Sequence, residues 1–561
     1  MPVKSGSYLV TALLVVVGFL VIYPLFMLFF GSFKGGPPGT STPFTIQGYI
    51  TAYTNPVTFS TLWTTAWLGL VRTVLAAGLA IFFAWVITRT DTPWRGFLEV
   101  LIWIKFFLPG LPLVVAWILL LGERGFINQF LMQTFHLDGP LLNVYSYGGI
   151  IWVSVISWTA LIFILIVPAF RGMDAALEES SRMAGANTFT TIRRITVPVL
   201  MPAILGATML AFIRIMESFE VELFLGYGSG IYVYTTRIWW LLGLASADFP
   251  QAMALSSVFL IIVMGLIILQ GKILGSKQFV TVTGRGFAVR PMRLGRWRYV
   301  TLSIVLLWFF IAAVLPIAVL ILGTFMRIWG IWVEDPFTLK HWIRTLGDSQ
   351  FWFSLKNTLY LGFGAATGGM LLYSIISYIV TKTKYASRKA LDVVSWLPWG
   401  VPSLVLAIGF LWAYVGGLPF LRFIYGSIWL LMLVFLVRGL PLGVRVMNGA
   451  MVQMGNELEE SSRVLGGSWI YTFRRILAPL LSGSFISAWI IVFMLTARDL
   501  VTVVLLYTPS SRLLTTKLFE HWTVGEYERA TVVGLILTLL TLIVALIARF
   551  IGTKQQVVSH M

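Results

Sequence analysis

The sequence predicts an all-α polytopic membrane protein of about twelve transmembrane helices, laid out as two parallel repeats related by a pseudo-two-fold axis along the membrane normal. Three observations predict it: the composition, the spacing of long apolar runs, and a segment that occurs twice. Of 561 residues, 58% are hydrophobic and only 11% charged, with a mean hydropathy of +0.89. Soluble domains carry about a quarter charged residues. The chain has no Cys, which excludes disulfides, thiolate metal sites and Cys nucleophiles. His136, His341, His521 and His560 are too scattered for an obvious metal cluster. The net charge of +18 is not gathered into one basic run, so it points to membrane topology rather than to nucleic acid.

A spanning helix needs about 20 mostly apolar residues. Such runs fall at roughly 8–31, 62–88, 97–121, 147–170, 200–226 and 251–274, and again at 299–325, 353–380, 390–415, 426–447, 482–507 and 531–552. The first is too long, and lacks the small-residue cleavage site, for a removed signal; it reads as a retained anchor. With the N-terminus inside, the loops expected to be cytoplasmic hold about 24 of the 40 Lys and Arg, against about ten on the other side. The opposite orientation inverts the ratio, so both termini are expected in the cytoplasm.

Residues 178–198 read EESSRMAGANTFTTIRRITVP and residues 459–479 read EESSRVLGGSWIYTFRRILAP. Eleven positions are identical without a gap. The likeness extends outward: Ile87-Thr88-Arg89-Thr90 matches Val380-Thr381-Lys382-Thr383, and Glu99, Trp103 and Pro109 match Asp392, Trp396 and Pro402. Thr235-Thr236-Arg237 matches Thr515-Thr516-Lys517, and the register slips only where 122–146 is longer than 416–425. A slip of that kind belongs in a loop. Residues 1–274 and 299–561 are therefore two halves of about six spans each, joined by a basic cytoplasmic linker, 275–298.

Each repeated loop carries a Glu, two small residues, a Gly four positions on, then Ile and Pro. These are Glu179, Ser180-Ser181, Gly185, Ile195 and Pro198 in one copy, and Glu460, Ser461-Ser462, Gly466, Ile476 and Pro479 in the other. Residues 174–184 and 455–465 read as short helices outside the bilayer. They are acidic at the start and basic after Arg182 or Arg463, which suits the helix dipole, and Gly185 and Gly466 end them with a left-handed turn. The pattern resembles the EAA motif of permeases of ABC importers, with Ser-Ser in place of Ala-Ala, and the resemblance covers essentially the whole chain. It implies a type I ABC importer permease fold, in which these loops are coupling helices seated on an ATPase subunit. The residues it assigns to coupling are Glu178, Glu179, Ser180, Arg182 and Gly185, with Glu459, Glu460, Ser461, Arg463 and Gly466. No GxxxxGK[ST] phosphate loop occurs, so the chain is expected to be no enzyme and to bind no cofactor. The resemblance implies two copies of a separate ATPase that uses ATP and Mg, an extracytoplasmic solute-binding protein, and a place in the bacterial inner membrane.

Ionisable residues within spans are functional candidates, because burying them is costly. The richest cluster follows the fifth span of each half: Glu217, Glu220 and Glu222 in the first, Arg498-Asp499 in the second. Their matching positions suggest Glu217 and Arg498 as a gate pair, with the other acids on the pathway; structural salt bridges are the competing reading. Arg72, Lys105, Lys356 and Arg438 also fall within spans and receive no role.

Fused permeases of this layout resemble those of ferric-iron uptake, with thiamine, aminoethylphosphonate and polyamine permeases as alternatives. The acidic cluster leans toward a cationic cargo. A secondary transporter also shows repeats, but has no reason to keep two matched cytoplasmic loops. A membrane enzyme needs a catalytic constellation, and none is found.

Overall fold

The computed structural model describes residues 3–275, 291–455 and 457–558. Most of the expected linker, 276–290, lies outside the described residues. Among the described residues the chain is nearly all helix, and eleven helices are long and apolar enough to cross a membrane; a bent pair makes twelve. In the first half, spans 1 to 6 are Val3–Ser32, Pro56–Arg89, the broken Arg95–Phe107 and Gly110–Leu121, Tyr147–Gly172, Val197–Met216 and Phe249–Leu274. In the second, span 7 covers Trp297–Phe325, and span 8 is Ser349–Lys382. Span 9 is the bent pair Arg388–Gly400 and Ser403–Gly416. Spans 10 to 12 are Ile428–Gln453, Ala478–Ala497 and Tyr527–Val558.

The repeat sets element lengths as well as motifs. Spans 2 and 8 are both 34 residues, spans 4 and 10 both 26, and spans 5 and 11 both 20. Spans 2 and 8 open on the same device. Asn55 accepts from the Val57 N–H at 3.0 Å, and Asp348 from the Gln350 N–H at 2.9 Å. Each cap satisfies an orphan donor of the first turn.

Two expectations need correction. The third span of each half is not one straight helix. It breaks before Pro109 and Pro402, with Leu108 and Val401 in extended backbone at ψ 137° and 117°. Proline offers no N–H and pushes the preceding residue out of the helical region, and in the second half the two pieces meet at 108°. Spans 5 and 11 also end early, at Met216 and Ala497, rather than at 226 and 507. The chain leaves the helix where its charged residues begin, and Glu220–Leu225 forms a separate short helix.

Proline shapes three other helices in a milder way. One π-turn precedes each of Pro198, Pro316 and Pro479, at Ile192–Thr196, Phe310–Val314 and Phe473–Leu477. The prolyl nitrogen cannot donate to the carbonyl four residues back. The wider turn absorbs that loss and lets the helix continue.

By packing, the described chain forms two units that do not follow the repeat boundary. One unit gathers span 1 and the chain up to Thr54, Ile238–Leu260, and the described residues from Leu339 onward. Here span 1 lies against the broken span 9 of the second half. The Tyr23 hydroxyl accepts from the Leu418 N–H at 2.9 Å and donates to the Ala413 carbonyl at 3.4 Å. The other unit gathers Asn55–Arg237 and the described part of Ile261–Thr338. In it, Phe309, Ala313 and Ile317 of span 7 pack on Leu108 and Leu113, at the break in span 3. Each half thus lends its first helix to the other half's bundle.

The longer loop of the first half is folded. Its helix Phe126–Phe135 is held by fully buried Asn128, which donates to the carbonyls of Leu121, Gly122 and Leu142 and accepts from the Leu142 N–H.

At the end of span 8 remote from the repeated loop, a charged network ties three elements together. Lys517 and Arg529 both reach Asp348 at 3.0 Å, while Glu526 joins Arg529 at 2.9 Å and His521 at 2.6 Å. Burial pushes the His521 imidazole below its ordinary value, and Arg529 and Lys517 push it further, against the pull of Glu526. Burial alone would raise the Asp348 and Glu526 carboxyls, but Lys517 and Arg529 bring Asp348 below the usual range, and Arg529 and His521 do the same for Glu526.

Two predictions follow from this packing. The chain is free of Cys, so Tyr23→Cys with Leu418→Cys, bridged by a short thiol-reactive linker, holds the halves together after cleavage at a protease site placed within 276–290; separation of the halves contradicts the exchange. The second concerns acid. A buried neutral His stabilises fully above its unfolded value of about 6.5 and loses that contribution as pH falls below it; the depressed carboxylates lose theirs lower, near pH 4 and below. Thermal unfolding therefore shifts down from pH 7.5 to 5.5, and His521→Gln flattens that interval; equal slopes in both proteins exclude the histidine.

Candidate functional site

The two repeated loops fold alike. In the first, Ala175–Met183 is a helix capped by Asp174, which accepts from the Ala176 N–H at 2.9 Å. In the second, Glu457–Val464 is the corresponding helix. Gly185 and Gly466 then take φ values of +86° and +81°, a region open to glycine at no steric cost. Their N–H groups donate back to the carbonyls of Arg182 and Arg463 at 2.9 and 3.0 Å. Asn187 and Ser468 cap the next helical turn, which runs through the π-turn into span 5 or span 11. Across each bend one hydroxyl pair closes the corner: Ser181 with Thr191 at 3.1 Å, and Ser462 with Thr472 at 2.7 Å.

The paired glutamates of each loop face different ways. Glu178 and Glu459 are each only 5% exposed, whereas Glu179 is half-buried and Glu460 is exposed. Glu178 accepts from the Thr196 hydroxyl at 2.6 Å and lies 3.9 Å from Nε of buried Arg89. Glu459 accepts from the Tyr378 hydroxyl at 3.1 Å and from Arg463 at 3.5 Å. Ser180 and Ser461 face outward, as does Arg463, and Arg182 is half-buried. Around them stand exposed apolar side chains: Met183 and Phe189 on the first loop, Val464, Leu465 and Ile470 on the second. These side chains stand open on the surface of their loops.

Each loop leaves the spans at a matched clamp. The Arg89 guanidinium donates to the Met173 carbonyl at 2.6 Å, and the Lys382 ammonium to the Met454 carbonyl at 2.6 Å. Both cations end the second span of their half, and both carbonyls follow the fourth. The last carbonyls of a helix have no partner within it, so a cation there satisfies an orphan and complements the dipole.

The charged turns after spans 5 and 11 resolve into ion pairs. Glu222 is fully buried against fully buried Arg72 of span 2 and accepts from the Ser218 hydroxyl at 2.7 Å. Arg72 is itself fixed by the Leu68 carbonyl and the Ser154 hydroxyl. Glu217 takes Arg214 at 2.9 Å. Asp499 pairs with Arg438 of span 10 and accepts from the Thr502 N–H at 2.7 Å. Glu220 is half-buried, with a carboxylate oxygen beside Gly110. Arg498 follows span 11 as its C-terminal cap. Arg72 and Arg438, given no role from sequence, are thus the partners of two candidate acids. Arg89, Lys382, Tyr378 and Thr196 were not singled out either, although the first two occupy matched positions in the repeat. Among the described residues no group of His, Asp and Glu is placed to hold a metal ion.

Long apolar helices joined by two matched loops define a multi-pass helical membrane protein built as a repeat. Comparison with known proteins gives the family: residues 76–274 and 370–556 match the one described as binding-protein-dependent transport system inner membrane component. The chain belongs to that family and is a multi-pass permease of the ABC importer class, with the motif found once in each half. The ferric transport system permease protein FbpB of Actinobacillus pleuropneumoniae is 25% identical over 552 residues, 97% of this chain and 78% of that protein. A putative ferric transport system permease protein of Haemophilus influenzae is also 25% identical, over 91% of this chain and 79% of its own length. The Escherichia coli molybdenum transport permease ModB is 32% identical over 25% of this chain and 59% of its own. Among solved structures, a bacterial importer of the polysaccharide alginate covers 46% of this chain and 94% of its own, with a TM-score of 0.38 and 18% identity.

Breaking a buried ion pair by removing one partner leaves an uncompensated charge and costs about 3–5 kcal/mol, while replacing both by apolar residues is often near neutral. Glu222→Leu alone therefore lowers the unfolding temperature in detergent sharply, and Arg72→Met added to it restores most of the loss. A double variant as unstable as the single one assigns the pair a role beyond mutual neutralisation.

Proposed function

We propose that this permease forms the substrate pathway of the importer and couples it to ATP hydrolysis on two separate ATPase subunits, one seated on each repeated loop. The observation that carries the reading is the division of each loop into an inward carboxylate anchored to the spans and an outward face. That face holds Glu179 or Glu460 beside exposed apolar side chains. A helix–Gly–helix fixed at its base can pass a push from a soluble partner into the spans. On this reading both termini and both loops are cytoplasmic, as the distribution of Lys and Arg requires.

The cargo proposed is ferric iron handed over by an extracytoplasmic binding protein, a reading supported by likeness to ferric transport permeases over 97% and 91% of this chain. The test reconstitutes the chain with a candidate ATPase subunit and a candidate binding protein. ATP hydrolysis stimulated by the iron-loaded binding protein is expected, and Glu179→Arg with Glu460→Arg abolishes the stimulation while the spans remain folded. Stimulation by thiamine, aminoethylphosphonate or a polyamine instead reassigns the cargo. Transport that persists without ATP overturns the importer reading.

A further inference from the structure

We infer that each loop is tethered to the spans through its inward glutamate, and that the two tethers are chemically different, so that the halves receive the power stroke by inequivalent routes. The inference rests on the proposal that the loops seat ATPase subunits and names the residues that carry the motion inward. In the first half the tether is ionic. Arg89, at the foot of span 2 and 2% exposed, holds the Met173 carbonyl through Nη2 while its Nε faces Glu178 at 3.9 Å. Glu178 also takes the Thr196 hydroxyl at 2.6 Å. One guanidinium and one carboxylate thereby join span 2, the exit of span 4, the loop helix and the entry to span 5.

In the second half the matching acid, Glu459, is held by a hydroxyl. Tyr378 of span 8 donates to Glu459 at 3.1 Å and accepts from the Trp469 indole N–H at 2.9 Å. Its ring lies edge-on to Trp469, with centroids 5.8 Å apart, and Trp469 stacks on Phe473 of the π-turn. A single tyrosine thus joins span 8 to the loop helix and to the entry of span 11. The ionic partner of Glu459, Arg463, stands on the same short helix, one turn along, so it cannot bind that helix to the spans. Position 85, which matches Tyr378 in the first half, is Trp85, which has no hydroxyl to offer Glu178.

The outward faces need these tethers to do work. Met183, Phe189, Val464 and Ile470 can hold a partner, but a seated partner moves the spans only if the loop cannot swing on its glycine. Glu178, Arg89, Glu459 and Tyr378 are therefore positioning residues: they act through the loops and touch neither cargo nor nucleotide.

The test compares wild type with Glu178→Gln, Arg89→Gln, Arg89→Lys, Glu459→Gln and Tyr378→Phe, each as the whole permease with its ATPase in proteoliposomes. Three quantities are read: ATPase subunits retained on purification, ATP hydrolysed, and iron transported per ATP when the iron-loaded binding protein is supplied. The expected result is full retention of the ATPase with transport per ATP reduced about five- to tenfold, the lower range of a typical coupling free energy, for Glu178→Gln, Arg89→Gln and Tyr378→Phe. Arg89→Lys recovers most of the loss, because charge is kept. Tyr378→Phe keeps the ring and loses only the hydroxyl, so its defect is not one of folding. Unchanged transport per ATP in Glu178→Gln and Tyr378→Phe overturns the inference. Variants that shed the ATPase overturn it too, because the carboxylates would then belong to the docking face. Failure of wild type to retain the ATPase refutes the coupling reading itself, a separate outcome.

Discussion

A cation at the foot of the second span of each half fixes the point at which each repeated loop leaves the spans. Arg89 and Lys382 reach across to the carbonyls of Met173 and Met454, the points where the fourth span of each half gives way to loop. A carbonyl at a helix end is an unsatisfied acceptor, and a long cationic side chain reaching from a neighbouring span meets that need while keeping the exit in one place. Without the clamp, the exit from the fourth span of each half would lose its contact with the second. With it, the left-handed turn becomes a corner of defined geometry, closed by the Ser181–Thr191 and Ser462–Thr472 hydroxyl pairs. The same physical problem arises twice and is solved twice at matched positions.

Elsewhere the halves meet a shared constraint with different residues. After spans 5 and 11 the chain leaves the helix and carries a carboxylate inward, at Glu222 or Asp499. A buried carboxylate needs a cation and further hydrogen bonds. In the first half the cation comes from span 2 as Arg72, and in the second from span 10 as Arg438. Hydroxyls complete both shells, Ser218 and Ser154 in one, Thr502 in the other. The requirement is kept while the donor span changes, which is how two fused copies drift without losing the turn.

Much of this was legible in the residues because it is periodic or repeated. Apolar runs located the spans, the doubled segment located two loops that fold alike, and glycine at 185 and 466 located their corners. What was missed falls into two kinds. The breaks at Pro109 and Pro402 were present as matched prolines inside apolar runs, and the rule that proline ends a helix outweighs the hydropathy of its neighbours. The inward turn of Glu178 and Glu459 was not readable: adjacent glutamates on a short helix differ by about 100° of rotation, and only the packed spans decide which one is buried. Nor was the exchange of spans 1 and 7. A helix that is apolar on every side carries no stripe to say which bundle it joins, so Tyr23 and Ala313 reveal their partners only in three dimensions.

The ion pairs also change the weight of the charge argument for cargo. Read along the chain, Glu217, Glu220, Glu222 and Asp499 make an acidic cluster that invites a cation. In the fold, Glu217, Glu222 and Asp499 are each answered by an arginine within their own unit. A carboxylate already neutralised and desolvated by a guanidinium offers a passing metal ion little, since releasing it would strand a buried charge. Glu220 is half-buried beside Gly110. The proposal of ferric iron therefore rests on likeness to ferric permeases along nearly the whole chain rather than on an anionic lining. Acids that are held by arginines beside the turns they follow serve first to fix those turns.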